Sequence, residues 1–161
     1  MEARESDSRR RRYGAKRSMR PDDSRRPGAV TALTILVGLQ GLSGLSGGIG
    51  LTLDPTGQSL GLPLTWLHGS PFSDYCVPGM ILFLVLGMVP AIVAYGLWSG
   101  RPWARVGAAF VGGTLVIWLL VEIAVIGYRA DPPLQIVYGV LAVLILVTTA
   151  LPSVRNDVRS R

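Results

Sequence analysis

The sequence predicts an all-α fold: a four-transmembrane-helix bundle with both termini cytoplasmic and a disordered basic N-terminal tail. Three observations carry this. Uncharged runs of 27, 26 and 23 residues lie between Arg26 and Asp54, Asp74 and Arg101, and Asp131 and Arg155; a fourth of 23, interrupted only by Glu122, lies between Arg105 and Arg129. Each exceeds the roughly 20 residues that a helix needs to cross a bilayer core. The runs are apolar nearly all round instead of striped every 3.6 residues, the pattern expected when lipid replaces water. Finally, ten of the 16 basic residues precede Gly28, two sit in the Ser99 to Arg105 loop and three follow Val154. Because Arg and Lys favour cytoplasmic segments, this places the N-terminus, the second loop and the C-terminus inside.

Three regions follow: a cytoplasmic basic tail over 1–27, a transmembrane domain over 28–152 with spans near 29–51, 78–98, 105–128 and 133–151, and a short basic tail over 153–161. The first tail holds ten basic and five acidic side chains with hardly any large apolar group, so it cannot offset the entropy of ordering. Its arginines could meet anionic lipid headgroups. Nucleic acid is not an expected partner, since Tyr13 is the one aromatic there to stack on a base. Fifteen Arg to one Lys is a usage associated with GC-rich bacterial genomes, and the location expected is the bacterial inner (plasma) membrane, with the lipid bilayer as first partner.

The first span carries Gly38, Gly41, Gly44, Gly47, Gly48 and Gly50. In lipid such small residues allow another backbone close, and Gly44-x-x-x-Gly48 has the spacing for it. Gln40, near mid-span, is expected to hydrogen-bond to another helix. The outer loop, Thr52 to Val77, lacks Lys and Arg. Asp54-Pro55-Thr56-Gly57 reads as a turn, and Trp66 suits the outer interface. Asp74 precedes Pro78, a residue tolerated in a first helical turn, so its carboxylate is placed to cap free amides or meet the positive helix end.

Pro90 lies inside the second span, where it removes the donor to the Leu86 carbonyl and predicts a kink. Ser99 to Arg105 then makes a short inner turn, with Trp103 and two arginines at the headgroups. The third span carries Gly112 and Gly113 as a further packing face. It also carries Glu122. A carboxylate in a span is costly, so it should face other helices, be neutral or have a partner. Ala108, Val111 and Leu115 share its side at 100° per residue, and Trp118 could cover it. In the fourth span Gln135 and Tyr138 lie in the outer half, and Tyr138 reaches a depth close to that of Glu122. A ligand or proton site of Glu122, Gln135 and Tyr138 is therefore a candidate, with Asp74, Tyr75 and His68 above it from the loop. The structural alternative is an acid that only ties spans three and four together.

Composition excludes several chemistries. Cys76 is the single cysteine, so no internal disulfide and no thiol relay can form, and with His68 the single histidine a zinc or haem site is not expected. No catalytic signature is present, no cofactor is expected, and the glycines lie in a hydrophobic helix without the Gly-Lys-Ser/Thr of a phosphate loop.

The run Ser70-Pro71-Phe72-x-Asp74-Tyr75-x-x-Pro78-Gly79, with Arg101-Pro102-Trp103-Ala104-Arg105, the Glu122 span and Leu134-Gln135-x-x-Tyr138-Gly139, resembles small bacterial four-span membrane proteins of uncharacterised function. The resemblance covers about Ala29 to Pro152, implies a plasma-membrane location and carries no activity across. Two functions fit these readings. One is a non-enzymatic accessory or scaffold subunit that meets a membrane-protein partner, or a second copy of itself, through its glycine face. The other is a small carrier or lipid-binding protein using Glu122 at an outward-facing pocket.

Overall fold

The computed structural model describes residues 28–128, 133–152 and 154. The basic tail before Gly28, the segment between Tyr128 and Pro133, and the chain beyond Val154 lie outside the described residues. Four helices account for most of the rest: α1 (Gly28–Leu53), α2 (Cys76–Trp98), α3 (Trp103–Ile126) and α4 (Leu134–Ala150). Among the described residues, α1, α2 and α3 are long and apolar enough to cross a membrane; α4 is equally aliphatic to the eye but has only 17 residues. The molecule is thus a membrane-type helical bundle.

The helices form a ring. α1 packs along α2 and against α4, and α3 packs against α4 and the Val89–Trp98 half of α2, leaving α1 and α3 as the diagonal pair. All four turn aliphatic side chains outward: Leu42, Ile92, Ile117 and Val143 are each more than half exposed. In water such a surface would be an aggregation hazard; in lipid it is the solvated face.

Contact between α1 and α2 is backbone against backbone. A Cβ on Gly41 would lie 2.9 Å from the Ala91 nitrogen and one on Gly48 would lie 2.5 Å from the Phe83 nitrogen, while one on Gly44 would collide with the Leu86 carbonyl. From the other side, a Cβ on Gly87 would stand 2.7 Å from the Leu45 nitrogen. The stripe Gly41, Gly44, Gly48 and Leu51 recurs every three or four residues, which keeps it on one helix face. The face is used up within the chain. Gly112 likewise sits against Ile145 and Leu146 of α4, but Gly113 has nothing within 4 Å of a would-be Cβ. Its expected role in packing is therefore corrected: one step along a helix turns the side chain by about 100°, away from the contact that Gly112 makes.

Pro90 does not end α2. The turns just before it, Leu82–Met88, widen into π-helical register, so that Val89 N–H reaches back five residues to the Leu84 carbonyl. Such bulges absorb a residue that cannot supply its own N–H. α3 stops at Ile126, two residues short of the expected boundary, because Gly127 has φ 76° and ψ 173°, a conformation open essentially to glycine alone.

The packed core sits in the half of the bundle that holds the start of α1, the turn between α2 and α3 and the end of α4. This is the inner half, and the half with the 54–75 loop is the outer one. Val30, Leu33 and Val37 of α1 meet Val93 and Leu97 of α2, Ala104, Ala108 and Val111 of α3, and Ile145 of α4. Val154 joins them at 1% exposure, so the chain stays on the bundle beyond the end of α4. Towards the outer end the side chains part.

Candidate ligand cavity

Between the outer halves of the four helices lies a cavity of about 460 Å³. That falls within the roughly 300–1,000 Å³ usual for small-molecule sites. Its walls are mostly apolar: Leu51 from α1, Leu82 and Leu86 from α2, Leu115, Val121 and Val125 from α3, and Leu134 from α4. The outer loop roofs it with Leu62, Trp66, Phe72 and Tyr75.

The roof is built by the turns of the loop. Asp54 closes the first by accepting from the backbone N–H of Thr56 at 3.2 Å and of Ser59 at 2.8 Å, and from the Thr56 hydroxyl. The Thr56 hydroxyl, with the Ser59 amide second, holds its carboxyl below the usual carboxylate range. Gly57 then takes φ 74° and leaves room for the Tyr75 ring, whose Cδ2 would stand 2.9 Å from a Cβ there. Tyr75 is 7% exposed, donates its hydroxyl to the Pro63 carbonyl at 3.0 Å and receives Pro55 as the acceptor for its own N–H at 2.9 Å. Burial pushes its phenol above the ordinary tyrosine range.

Polar groups enter the cavity from three helices. Glu122 lies about 6 Å inside the outer end of α3, on the stripe that includes Ala104, Ala108, Val111, Leu115 and Leu119, all buried. Gln135 of α4 donates through Nε2 to Glu122 Oε1 at 3.2 Å and to the Gly127 carbonyl at 3.1 Å. The Trp118 side chain, one turn before Glu122, lines the same cavity. Tyr138 pairs through its hydroxyl with Ser43 of α1. Deeper, Gln40 is 1% exposed; its Nε2 donates to the Leu86 carbonyl at 3.3 Å, and its Oε1 has no hydrogen-bond partner.

The structure thus brings Glu122, Gln135, Tyr138 and Tyr75 to one cavity. Tyr138 joins it through Ser43 instead of through the Glu122–Gln135 pair. Two expected members are elsewhere. Asp74 accepts from the Cys76 N–H at 2.9 Å and so caps the start of α2, and His68 is exposed on the loop; neither lines the cavity. Ser43 and Gln40 are the members that sequence reasoning did not assign to the site. Ser43 reads as one more small residue among glycines, and Gln40 as a cross-helix donor. The signal that could have found both is their presence as hydrogen-bonding groups on the face of α1 that packs inward.

Among the described residues no three His, Cys, Asp or Glu side chains come together in a metal-binding group. What the arrangement can do is hold an apolar body against aliphatic walls and meet its polar end with a carboxyl, an amide and two hydroxyls. Comparison of the chain with protein-family models, with curated proteins and with solved structures finds no match.

Proposed function

We propose that this is a four-span protein of the bacterial plasma membrane, with both termini cytoplasmic, that holds a small lipophilic molecule in the cavity between its outer halves without acting on it as an enzyme. The carrying observation is the cavity: 460 Å³ of largely apolar space that ends on a hydrogen-bonded carboxyl. Glu122 has its partner, Gln135, and open volume beside it.

Two further features support the reading. The fourth helix has 17 residues, the short end of what spans, yet Val137, Val140, Val143 and Val147 are each more than half exposed, a surface suited to lipid. The small-residue face of α1, which a scaffold subunit would offer to a partner, is occupied by α2. That favours the binding protein over the accessory subunit.

The test uses Gly47, which lines the cavity and whose would-be Cβ meets only the end of the Leu82 side chain, at 3.2 Å. Gly47→Leu fills space at little cost to the backbone. Purified in nanodiscs from native membranes, the wild-type protein should carry a lipophile at near one-to-one stoichiometry by native mass spectrometry, and the variant should lose it while keeping its helical circular dichroism. An empty wild-type protein, or equal occupancy of the two, would overturn the proposal.

A further inference from the structure

We infer that the cavity selects a lipophile whose head is an amine, with the nitrogen beside the Glu122 carboxyl and the apolar body against the walls formed by α2 and α3. This rests on the ligand-site reading above and adds the chemistry of the head to it.

Charge gives the first argument. Among the described residues that line the cavity, Glu122 is the one Asp, Glu, Lys, Arg or His. An anionic head, whether a phosphate or a fatty carboxylate, would be brought next to a carboxyl with no cation among the described wall residues to offset it, in a medium where like charges repel far more strongly than in water. An ammonium would find its counter-ion in place.

Hydrogen-bond inventory gives the second. The Gln135 Nε2 donor is already divided between Glu122 and the Gly127 carbonyl, and the bond between Ser43 and Tyr138 uses one of their two hydroxyl hydrogens. The polar group left unmet is an acceptor, Gln40 Oε1, buried on the cavity's inner side. Buried polar atoms without partners are uncommon and costly. The Glu122 carboxyl can accept more than the one bond it takes from Gln135, and an N–H-bearing head can use that capacity where a carboxylate or an ether cannot.

Proton count gives the third. An ammonium beside a carboxylate and an amine beside a carboxylic acid hold the same number of protons, and either pair makes a hydrogen bond. An amine thus complements Glu122 in both of its protonation states, where an alcohol offers only a neutral contact.

The experiment compares three radiolabelled probes with one chain and different heads, decylamine, decanol and decanoate, by scintillation proximity on the full-length protein in nanodiscs of phosphatidylcholine. Signal from empty nanodiscs removes simple partitioning. Saturable binding of decylamine at least tenfold tighter than decanol is expected, with no saturable binding of decanoate. Glu122→Gln should bring decylamine to the level of decanol and leave decanol unchanged; Gly47→Leu should abolish both. Equal binding of amine and alcohol, or tighter binding of decanoate, overturns the amine inference and leaves the ligand site standing. Failure of all three probes to saturate the wild-type protein overturns the ligand site as well. Should Glu122→Gln not fold, the order of the three heads on the wild-type protein still decides.

Discussion

Gln40 of α1 donates its side-chain amide to the carbonyl of Leu86 in α2, and Leu86 is the residue that Pro90 deprives of its α-helical donor. A defect in one helix is met by a side chain from its neighbour. It is met at the spot where Gly44 lets the two backbones touch, so proline, glutamine and glycine act as one joint between α1 and α2. In lipid, where no water reaches a freed carbonyl, a neighbouring helix is the natural source of such a donor.

The joint predicts coupling between Gln40 and Pro90. Gln40→Leu alone should lower stability in detergent by about 0.6–2 kcal/mol, the range of interhelical hydrogen bonds in membranes. In a Pro90→Ala background, where residue 90 can supply its own N–H to Leu86, the same change should cost markedly less. A double-mutant cycle by unfolding in mixed micelles measures the difference. Strict additivity would mean that the Leu86 carbonyl does not link the two residues.

Glycines on the two sides of the bundle should behave oppositely. Gly44→Ala drives a methyl into the Leu86 carbonyl, which belongs to backbone and cannot swing aside, and should cost about 1–3 kcal/mol or more as an overpacking change. Gly113→Ala meets nothing within 4 Å and should be neutral, or stabilising by up to about 1 kcal/mol through helix propensity. Relative melting temperatures of the two variants in one detergent decide it, and an equal loss in both would contradict the packing described here.

Particular residues show how far the sequence could be read. The boundaries of α1 and α2 were legible to within about two residues, because charge and proline mark them on both sides. The end of α3 was read two residues too far: Tyr128 looks like an interfacial anchor, and only the backbone at Gly127 shows that the helix has already stopped. Glu122, Gln135 and Tyr138 were legible as one group in the same half of adjacent spans, but the depth match was between Glu122 and Tyr138, whereas the acid pairs with Gln135. The pairing of Tyr138 with Ser43 was not legible, since depth says nothing of which neighbour a side chain turns towards, and that is settled by the ring order of the helices. Pro90 was legible as a break in hydrogen bonding, but the widening of Leu82–Met88 into π register depends on packing against α1. The cavity itself has no sequence signature; it arises because the inner halves of the helices pack and the outer halves part.

Loop stability should depend on pH through Asp54. Its carboxyl is held below the ordinary range mainly by the Thr56 hydroxyl, so the folded loop favours the ionised form. That contribution is present above the ordinary carboxylate pKa and is lost as pH falls through the lower, folded-state value. Thr56→Val removes the hydroxyl and should move the Asp54 carboxyl back towards the ordinary range. Carboxyl carbon chemical shifts of labelled Asp, followed from pH 7 to pH 2 in micelles, read this directly; an unmoved titration would discount the Thr56 contact.

The topology proposed above can be tested with single cysteines. Cys76 is the chain's one cysteine, so Cys76→Ser gives a clean background. Ser73, exposed on the loop before α2, and Ser99, exposed in the turn between α2 and α3, stand at opposite ends of α2. At about 1.5 Å per residue the 23 residues of Cys76–Trp98 separate these ends by about 35 Å, enough to put them on opposite membrane surfaces. With the basic Ser99 to Arg105 turn inside, Ser73→Cys should react with a membrane-impermeant maleimide on intact cells, and Ser99→Cys only after permeabilisation. The reverse pattern would invert the protein in the membrane and turn the half of the bundle that holds the cavity towards the cytoplasm.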